Sequence, residues 1–335
     1  MKIFIILILL NFIFANQNIN NLNNFNESNN DITKYKNKNL LLSIIVKYSW
    51  EKILPFLKSF IKINSRNCDI VFFVNQVTPE IISNLKSYGV IVHEIKEKLI
   101  GSYNIYKTRW KLYRDFLNDN KSKYNIVLSV DIRDTIFQKE FFSLYENYSS
   151  FIGFSYESAT INKLIKKEDL INAVGIDNFK SIENKRTLNA GTVWATSNIF
   201  CEFADILYNK LLEYTILDQC LVNYLIYKEN ILNNATHIYS DEYGPVLTLG
   251  LTNKKTIKID YDENILNYKG EIALIVHQYD RDPLLKKIMR KKFCPELYNN
   301  KYIEFLTFLE IFTIILLFKT NYSLYQLKKE KIYKI

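Results

Sequence analysis

The chain has little glycine, proline or cysteine, and each shortage excludes a class of protein. Its 335 residues include 8 glycines and 5 prolines, too few for a collagen-like chain or a Pro/Gly-rich disordered one. The 4 cysteines form no C-x-x-C pair, which argues against a structural zinc site. They leave two alternatives open, disulfide bonds or buried free thiols. With 48% hydrophobic residues, the chain can bury a substantial core and is expected to be globular.

Two kinds of functional motif are also missing. The formal net charge is +9, but no helix-turn-helix, zinc-finger or RNA-binding signature accompanies it, so nucleic acid is not expected as a partner. A basic balance equally suits an anionic membrane surface or a phosphate-bearing substrate. The chain also has no G-x-x-x-x-G-K-[ST] phosphate loop.

The start of the chain is typical of a secreted protein. Lys2 precedes an apolar run that ends at the small residue Ala15. This pattern predicts a signal peptide at residues 1–15, with an uncleaved signal anchor as the alternative. Residues 16–38 are rich in asparagine and predict a disordered stem, because they cannot bury enough apolar surface to fold alone.

The remainder divides into a folded domain at residues 39–300 and a terminal segment at 301–335. A second apolar run, residues 303–318, lies in that segment and is followed by a basic tail. It predicts either an apolar helix docked on the domain or a C-terminal membrane anchor. We therefore expect a glycoprotein of the secretory pathway, lumenal in the ER or Golgi or secreted, with membrane anchoring left open. N-x-[ST] sequons at Asn26, Asn147, Asn234 and Asn321 agree with this location.

Apolar runs of strand length alternate with segments of helical periodicity in the first part of the domain. Short connections between them imply parallel strands, so the pattern predicts an α/β fold. Sheets of this kind bind ligands at the carboxyl ends of their strands, which directs attention to the residues after Val130. The predicted strands are 40–46, 69–74, 90–95 and 124–130, and the predicted helices are 50–61, one that starts at Thr78-Pro79, and 104–117.

An acidic motif follows the fourth predicted strand. Asp131 and Asp134 flank Arg133 at the mouth of this buried strand. Carboxylates in this position suit a divalent cation that bridges two phosphates, and the guanidinium suits a phosphate or a neighbouring carboxylate. The alternative is a salt bridge that caps the strand end.

Three later segments contain polar residues beside predicted elements. The segment 188–191 (LNAG) precedes a strand-like run at 193–195, and Asp218 and Gln219 begin a helix. A predicted strand at 272–276 leads into His277, one of only 3 histidines. A lone histidine in such a place is either structural or a metal or phosphate ligand.

Together these segments resemble the GT-A nucleotide-diphospho-sugar transferase superfamily over about residues 40–295. The resemblance rests on VDIRDTIFQ at 130–138, LNAG at 188–191, DQCLVN at 218–223 and VHQYDR at 276–281, in this order. It is greatest for a branch with D-x-R-D-x-x-F-Q and H-Q-Y-D-R motifs. The resemblance implies a GT-A-like, Rossmann-type mixed sheet, mainly parallel and flanked by helices. It also implies a glycosyltransferase that moves a sugar from a nucleotide-sugar donor to a glycan, protein or lipid acceptor.

The resemblance also implies roles for individual residues. Mn²⁺ or Mg²⁺ would be bound by the carboxylates of the acidic motif and by the late histidine. The family motif spaces its carboxylates by one residue, and Arg133 stands at that second position here. A metal-independent variant that uses Arg133 against the diphosphate is therefore the alternative. The implied residues are Asp131, Asp134 and His277 for the metal, Arg109, Asp131, Arg133, Asn189 and Gly191 for the donor, and Asp218 and Gln219 for catalysis.

Two other functions remain open on the sequence. One is a different α/β enzyme that acts on phosphate esters, with Asp131 as a nucleophile at a strand end. The other is a glycan-binding protein that keeps the fold without the chemistry, since fold alone does not establish function.

Overall fold

A mixed β-sheet lies at the centre of the computed structural model, which describes residues 38–64, 67–164, 166–250 and 257–297. In these ranges seven strands form the main sheet, in the order β3-β2-β1-β4-β7-β6-β8. Strands β1 to β4 run parallel, β7 is antiparallel to both its neighbours, and β8 is parallel to β6. The seven strands are β1 Lys38–Val46, β2 Cys68–Asn75, β3 Ile91–Glu94, β4 Tyr124–Val130, β6 Ile152–Thr160, β7 Arg186–Thr196 and β8 Thr236–Tyr239.

Helices cover both faces of this sheet. The described helices are α1 Trp50–Asn64, α2 Pro79–Ser87, α3 Ser102–Asn120, α4 Lys167–Val174, α5 Ile176–Ile182, α6 Ser197–Glu213, α7 Asp218–Tyr227 and α8 Pro283–Phe293. The expected fold class, a mixed and mainly parallel sheet flanked by helices, is confirmed.

The apolar run of β1 reflects burial on both faces of the sheet. Leu40 and Leu42 pack into one core beside α3, α6 and α7, while Leu41 and Ile45 pack into the other core beside α1. Alternate residues of a strand point to opposite faces, so a strand covered on both sides must be apolar throughout. For this reason sequence pattern alone located β1, β2 and β4 to within two residues.

A second, smaller sheet connects the acidic motif to the late histidine. Three further described strands form it, β5 Thr135–Phe137, β12 Ile275–His277 and β9 Val246–Thr248. Strand β12 lies between the others, antiparallel to β5 and parallel to β9. In the described chain, two strands of two residues each, β10 Lys258–Ile259 and β11 Ile265–Leu266, pair with each other beside this sheet.

Two expected boundaries were wrong. The strand predicted at 272–276 starts later, because Ile272 instead forms a bridge with Leu266 and the backbone N–H of Ala273 donates to Ile265 O. The segment 188–191 does not precede a strand but lies inside β7, which pairs with β4 on one side and β6 on the other.

Some expectations concern parts of the chain outside the described residues. The expected signal peptide, almost all of the stem, and the terminal segment with residues 303–318 lie there. Of the helices the structure describes, none is both long and apolar enough to cross a membrane. The four cysteines all fall within the described ranges and are free thiols.

Candidate functional site

The acidic motif lies where β4 ends and turns towards β5. Residues Ile132–Asp134 form a single 3₁₀ turn, which brings Asp131 and Asp134 to the same side of the chain. The backbone N–H of Asp131 donates to the carbonyl oxygen of Gly191 at 2.8 Å, which ties the motif to β7. Asp134 is buried, whereas 43% of the Asp131 side chain is exposed. The motif therefore offers one carboxylate to solvent and keeps the other in the interior.

His277 ends β12 and lies opposite Asp134. Its Nε2 is 3.6 Å from Asp134 Oδ1, longer than a hydrogen bond, and neither atom has a hydrogen-bond partner among the described residues. One donor atom each from Asp131, Asp134 and His277 lie within 4.8 Å of one another. Buried polar atoms are normally paired, so this arrangement suits a divalent cation held by two carboxylates and an imidazole.

Gly191 makes room for this cluster. A Cβ atom at this position would lie 2.7 Å from His277 Cε1 and 2.8 Å from Asp131 Oδ2. No side chain fits there without displacing one of these groups, so glycine lets β7 pass directly beneath the cluster. Gly191 was predicted as a donor-binding residue, and the structure places it against two of the predicted metal ligands.

Arg109 joins the motif to helix α7. It is buried on α3, and its Nη1 donates to Asp131 Oδ1 at 2.8 Å. Its Nη2 donates to Asp218 Oδ2, which also accepts from Trp110 Nε1 at 2.9 Å. Burial alone would lower the pKa of Arg109, but Asp218 and then Asp131 raise it above its usual range. This guanidinium is therefore a fixed positive charge that orients both carboxylates.

Electrostatics separate the two carboxyl groups of the motif. Desolvation by the surrounding protein raises the pKa of Asp131, although part of its side chain reaches the solvent. Burial would do the same to Asp134, but the close approach of His277 and the charge of Arg133 lower the pKa of Asp134 to about 2. Burial alone would lower the pKa of His277, whereas Asp134 and then Asp131 raise it. The cluster thus attracts positive charge, either a proton on the imidazole or a cation.

Two partly exposed arginines lie on the outer side of Asp134. Arg133 Nη2 is 3.0 Å and Arg281 Nη2 is 3.4 Å from Asp134 Oδ2. Asp280 also lies near both, 3.7 Å from Arg133 Nε and 3.8 Å from Arg281 Nε. Arg133 was predicted to contact a phosphate or a carboxylate, and the structure shows the carboxylate contact.

Two cavities open onto these side chains. We name the first the donor cavity, after the role proposed for it below. It has a volume of about 420 Å³ and is lined by Ile44, Val46, Tyr48, Ser102, Ile105, Tyr106, Arg109, Asp131, Ile132, Arg133, Asp134, Gln219, Gln278 and Arg281. We name the second the acceptor cavity in the same way. It has a volume of about 410 Å³ and is lined by Glu157, Ala159, Lys163, Leu164, Leu217, Gln219, Cys220, Gly250, Gln278 and Arg281. They share Gln219, Gln278 and Arg281, so these three side chains lie between the two spaces.

Glu157 is a candidate that the sequence did not reveal. It lies on β6 at the wall of the acceptor cavity, and Asn189 Nδ2 donates to its Oε1 at 2.6 Å. Burial raises the pKa of Glu157. Its only sequence signal was indirect, because its partner Asn189 belongs to the LNAG segment. Asn189 was predicted to contact the donor, but it is buried and lines neither cavity.

Hydrogen bonds between the Asn223 side chain and the backbone of β7 fix the position of Gln219. Asn223 on α7 accepts from the Leu188 N–H at 2.8 Å and donates to the Leu188 carbonyl at 3.0 Å. These two bonds dock the first turns of α7 on β7, with Gln219 facing both cavities. Asp218, its neighbour, is buried among Arg109 and Trp110 and lines neither cavity. The expected catalytic role of this pair stays a prediction.

Comparison with solved structures finds similar folds among glycosyltransferases. The galactosyltransferase LgtC, solved in complex with donor and acceptor sugar analogues, is 11% identical over 75% of this chain and 95% of that chain, with a TM-score of 0.45. The glycosyltransferase GlyE of Streptococcus pneumoniae TIGR4 is 14% identical over 76% of this chain and 60% of that chain, with a TM-score of 0.43. No family model and no curated protein matches the chain. Similarity this low does not establish an activity.

Proposed function

We propose that the chain is a glycosyltransferase that binds a nucleotide sugar and a divalent cation in the donor cavity and an acceptor in the acceptor cavity. The observation that carries the proposal is the cluster of Asp131, Asp134 and His277, because its two carboxylates line a cavity whose wall also contains arginines. A phosphate-bearing ligand beside a cation site is the chemistry that this combination favours.

The wall of the donor cavity offers two kinds of surface to a nucleotide sugar. Tyr48 and Tyr106 lie among Ile44, Val46 and Ile105, which together offer an apolar and aromatic surface for the base and ribose. Arg133 and Arg281 lie nearer the acidic motif, where the diphosphate is expected. Both arginines are partly exposed, so their guanidinium groups can turn from Asp134 towards a phosphate.

Asp131, Asp134 and His277 would hold the cation, for which Mn²⁺ and Mg²⁺ are the candidates. When bound, the cation neutralises charge on the diphosphate as it leaves the sugar. Arg109, which also lines the cavity, holds the Asp131 carboxylate in place. We assign the same positioning role to Asp218, because its carboxylate accepts hydrogen bonds from the side chains of Arg109 and Trp110.

Glu157 lines the acceptor cavity, and Gln219 lies at the boundary between the two spaces. The transferred sugar must lie at such a boundary, because the acceptor attacks its anomeric carbon. If transfer inverts configuration, a carboxylate must take the proton of the acceptor, and Glu157 is the candidate whose burial raises its pKa towards that task. If transfer retains configuration, no such base is needed.

A metal-independent form of this reaction is the second candidate. Arg133 and Arg281 already contact Asp134, so one carboxylate oxygen of the motif is paired with positive charge. In that case the two arginines alone would neutralise the diphosphate. Donor binding that is equal with and without a cation would favour this form.

The experiment is an assay of nucleoside diphosphate release from a panel of nucleotide sugars by the full chain, with and without Mn²⁺. We expect one nucleotide sugar to be turned over, and Asp131→Asn and Asp134→Asn to abolish turnover in a folded protein. The matched control is Asp115→Asn, which changes an exposed carboxylate on α3 that pairs with Lys111. Turnover that survives in both motif variants would refute the site.

We also propose that the protein enters the secretory pathway, on the basis of residues 1–15 and the sequons. Asn147 and Asn234 lie in the described domain and are exposed, as glycosylation requires. Expression in a eukaryotic host should give a mobility shift that an N-glycosidase removes. A chain that stays unglycosylated in the cytosol would contradict this location.

A further inference from the structure

A third cavity lies at the other end of the small sheet from the candidate active site. Asp134 precedes β5 and His277 ends β12, whereas Lys139 follows β5 and Leu274 precedes β12. Lys139 and Leu274 line the third cavity, which has a volume of about 510 Å³. The three-residue strands separate the two ends by about 10 Å. None of the residues that line it belongs to the donor or acceptor cavity, so it is a separate space.

Four tyrosines, Tyr145, Tyr148, Tyr239 and Tyr243, line this cavity, which we name the tyrosine pocket. Tyr145 and Tyr239 are fixed, since Tyr145 stacks on Phe151 at a centroid distance of 5.0 Å and meets Tyr239 edge-on at 6.3 Å. Tyr148 and Tyr243 are 40% and 49% exposed, so both rings reach solvent in part, although Tyr148 also packs on Phe151 and the Lys269 amine lies 5.0 Å from the Tyr243 ring centroid. Large aromatic side chains exposed around a concave surface are typical of a binding site.

A rigid turn supplies polar groups to the same pocket. The Asn267 side chain accepts from the N–H groups of Lys269 and Glu271, both at 3.0 Å, and donates to Glu271 Oε2 at 3.1 Å. This network fixes the turn and holds the Glu271 carboxylate at the pocket. Lys139, whose side chain ends in an amine, is exposed and lines the same pocket. The pocket therefore combines aromatic faces with one fixed acceptor group and one donor group.

We propose that the tyrosine pocket is a second carbohydrate-binding site, for a neutral oligosaccharide. A sugar ring has an apolar face of C–H groups, which packs on a tyrosine ring, and a rim of hydroxyls, which pairs with carboxylate and amine groups. A volume of about 510 Å³ lies within the range of small-ligand sites. Among the residues that line the pocket, the positive charge of Lys139 balances the negative charge of Glu271, so a neutral sugar is the occupant that the charges favour.

The test is binding of the full chain to an array of neutral glycans without nucleotide or donor. Acidic glycans are left out because a protein with a formal net charge of +9 retains them through charge alone. We expect binding to at least one neutral glycan, reduced about tenfold or more in the double variant Tyr148→Ala/Tyr243→Ala. Glu271→Gln, which keeps the shape and removes the charge, should weaken the same signal.

Three controls separate the outcomes. Tyr261→Ala changes a fully exposed tyrosine outside the pocket and should leave binding unchanged. Circular dichroism and the melting temperature establish that each variant is folded. Asp131→Asn should also leave binding unchanged, because it affects only the donor cavity.

Two results would overturn the proposal. One is a folded protein that binds no neutral glycan, or that binds a protein or peptide through Tyr148 and Tyr243 instead. The other is glycan binding that the tyrosine variant preserves, which would place the sugar outside the tyrosine pocket. Because no donor is present, failure here leaves the proposed transfer untouched, and inactive transfer leaves this site untouched.

Discussion

Replacement of Gly191 by alanine is expected to weaken cation binding more than it weakens the fold. The new Cβ would lie 2.7 Å from His277 Cε1 and 2.8 Å from Asp131 Oδ2, where ordinary contacts begin near 3.4 Å. Each group must therefore retreat by about 0.6 Å, which is larger than the roughly 0.2 Å tolerance of metal–ligand distances. A disturbance of this kind typically lowers metal affinity about 10- to 100-fold.

The matched control is Gly153→Ala on the neighbouring strand β6. Its Cβ would lie 2.3 Å from Trp194 Cε2, so the steric conflict is at least as severe but falls in the core. Both variants should lose about 1–3 kcal/mol of unfolding free energy from overpacking. Only Gly191→Ala should raise the Kd for Mn²⁺, measured by electron paramagnetic resonance titration of the full chain. Equal Mn²⁺ affinity in wild type and Gly191→Ala would refute the reasoning.

Three further predictions follow from the same network. Arg109→Met leaves the buried Asp218 carboxylate with the Trp110 and Gln219 N–H donors but without the positive charge of Arg109. It should cost about 3–5 kcal/mol of unfolding free energy in urea, part of which Arg109→Met/Asp218→Leu should restore. A double variant no more stable than the single one would contradict this coupling. Arg133→Ala should weaken nucleoside diphosphate binding about tenfold in calorimetry, and unchanged affinity would remove Arg133 from the site. Glu157→Gln should lower kcat about 10²-fold or more with donor affinity unchanged, and full kcat would show that Glu157 is not the base.

The elements that sequence predicted best are those that burial makes uniform. Strand β4 was placed at 124–130, as observed, because it is apolar on both faces and ends at charged residues. The first turn of α2 was equally clear, since the Thr78 hydroxyl accepts from the Ile81 N–H and Pro79 opens the helix. In both cases local chemistry alone determines the boundary.

The small sheet could not be placed from sequence for a physical reason. Strands β5, β9 and β12 contain three residues each, too few for a period of two to be recognised. The pairing of β5 with β12 joins segments more than 100 residues apart, as in the contact of Ile275 with Phe137. The position of His277 after a predicted strand was read correctly in outline, but its contact with Asp134 follows only from this pairing.

The residues of the candidate site also differ in how readily the sequence identifies them. Asp131 and Asp134 were identifiable because two carboxylates directly after a buried strand form a local pattern. Glu157 was missed because a single acidic residue within a strand has no pattern, and its partner Asn189 lies 32 positions away. Sequence also could not show that Arg109 and Trp110 enclose the Asp218 carboxylate, since that contact joins two helices.

The central claim is that Asp131, Asp134 and His277 bind a cation beside a nucleotide diphosphate. The most direct test is calorimetric titration of the full chain with a panel of nucleoside diphosphates, with and without Mn²⁺. We predict that one nucleotide binds, that Mn²⁺ strengthens its binding, and that Asp131→Asn removes this effect of Mn²⁺ while Asp115→Asn does not. A folded protein that binds no nucleotide, or that binds one equally well in wild type and Asp131→Asn, would contradict the claim.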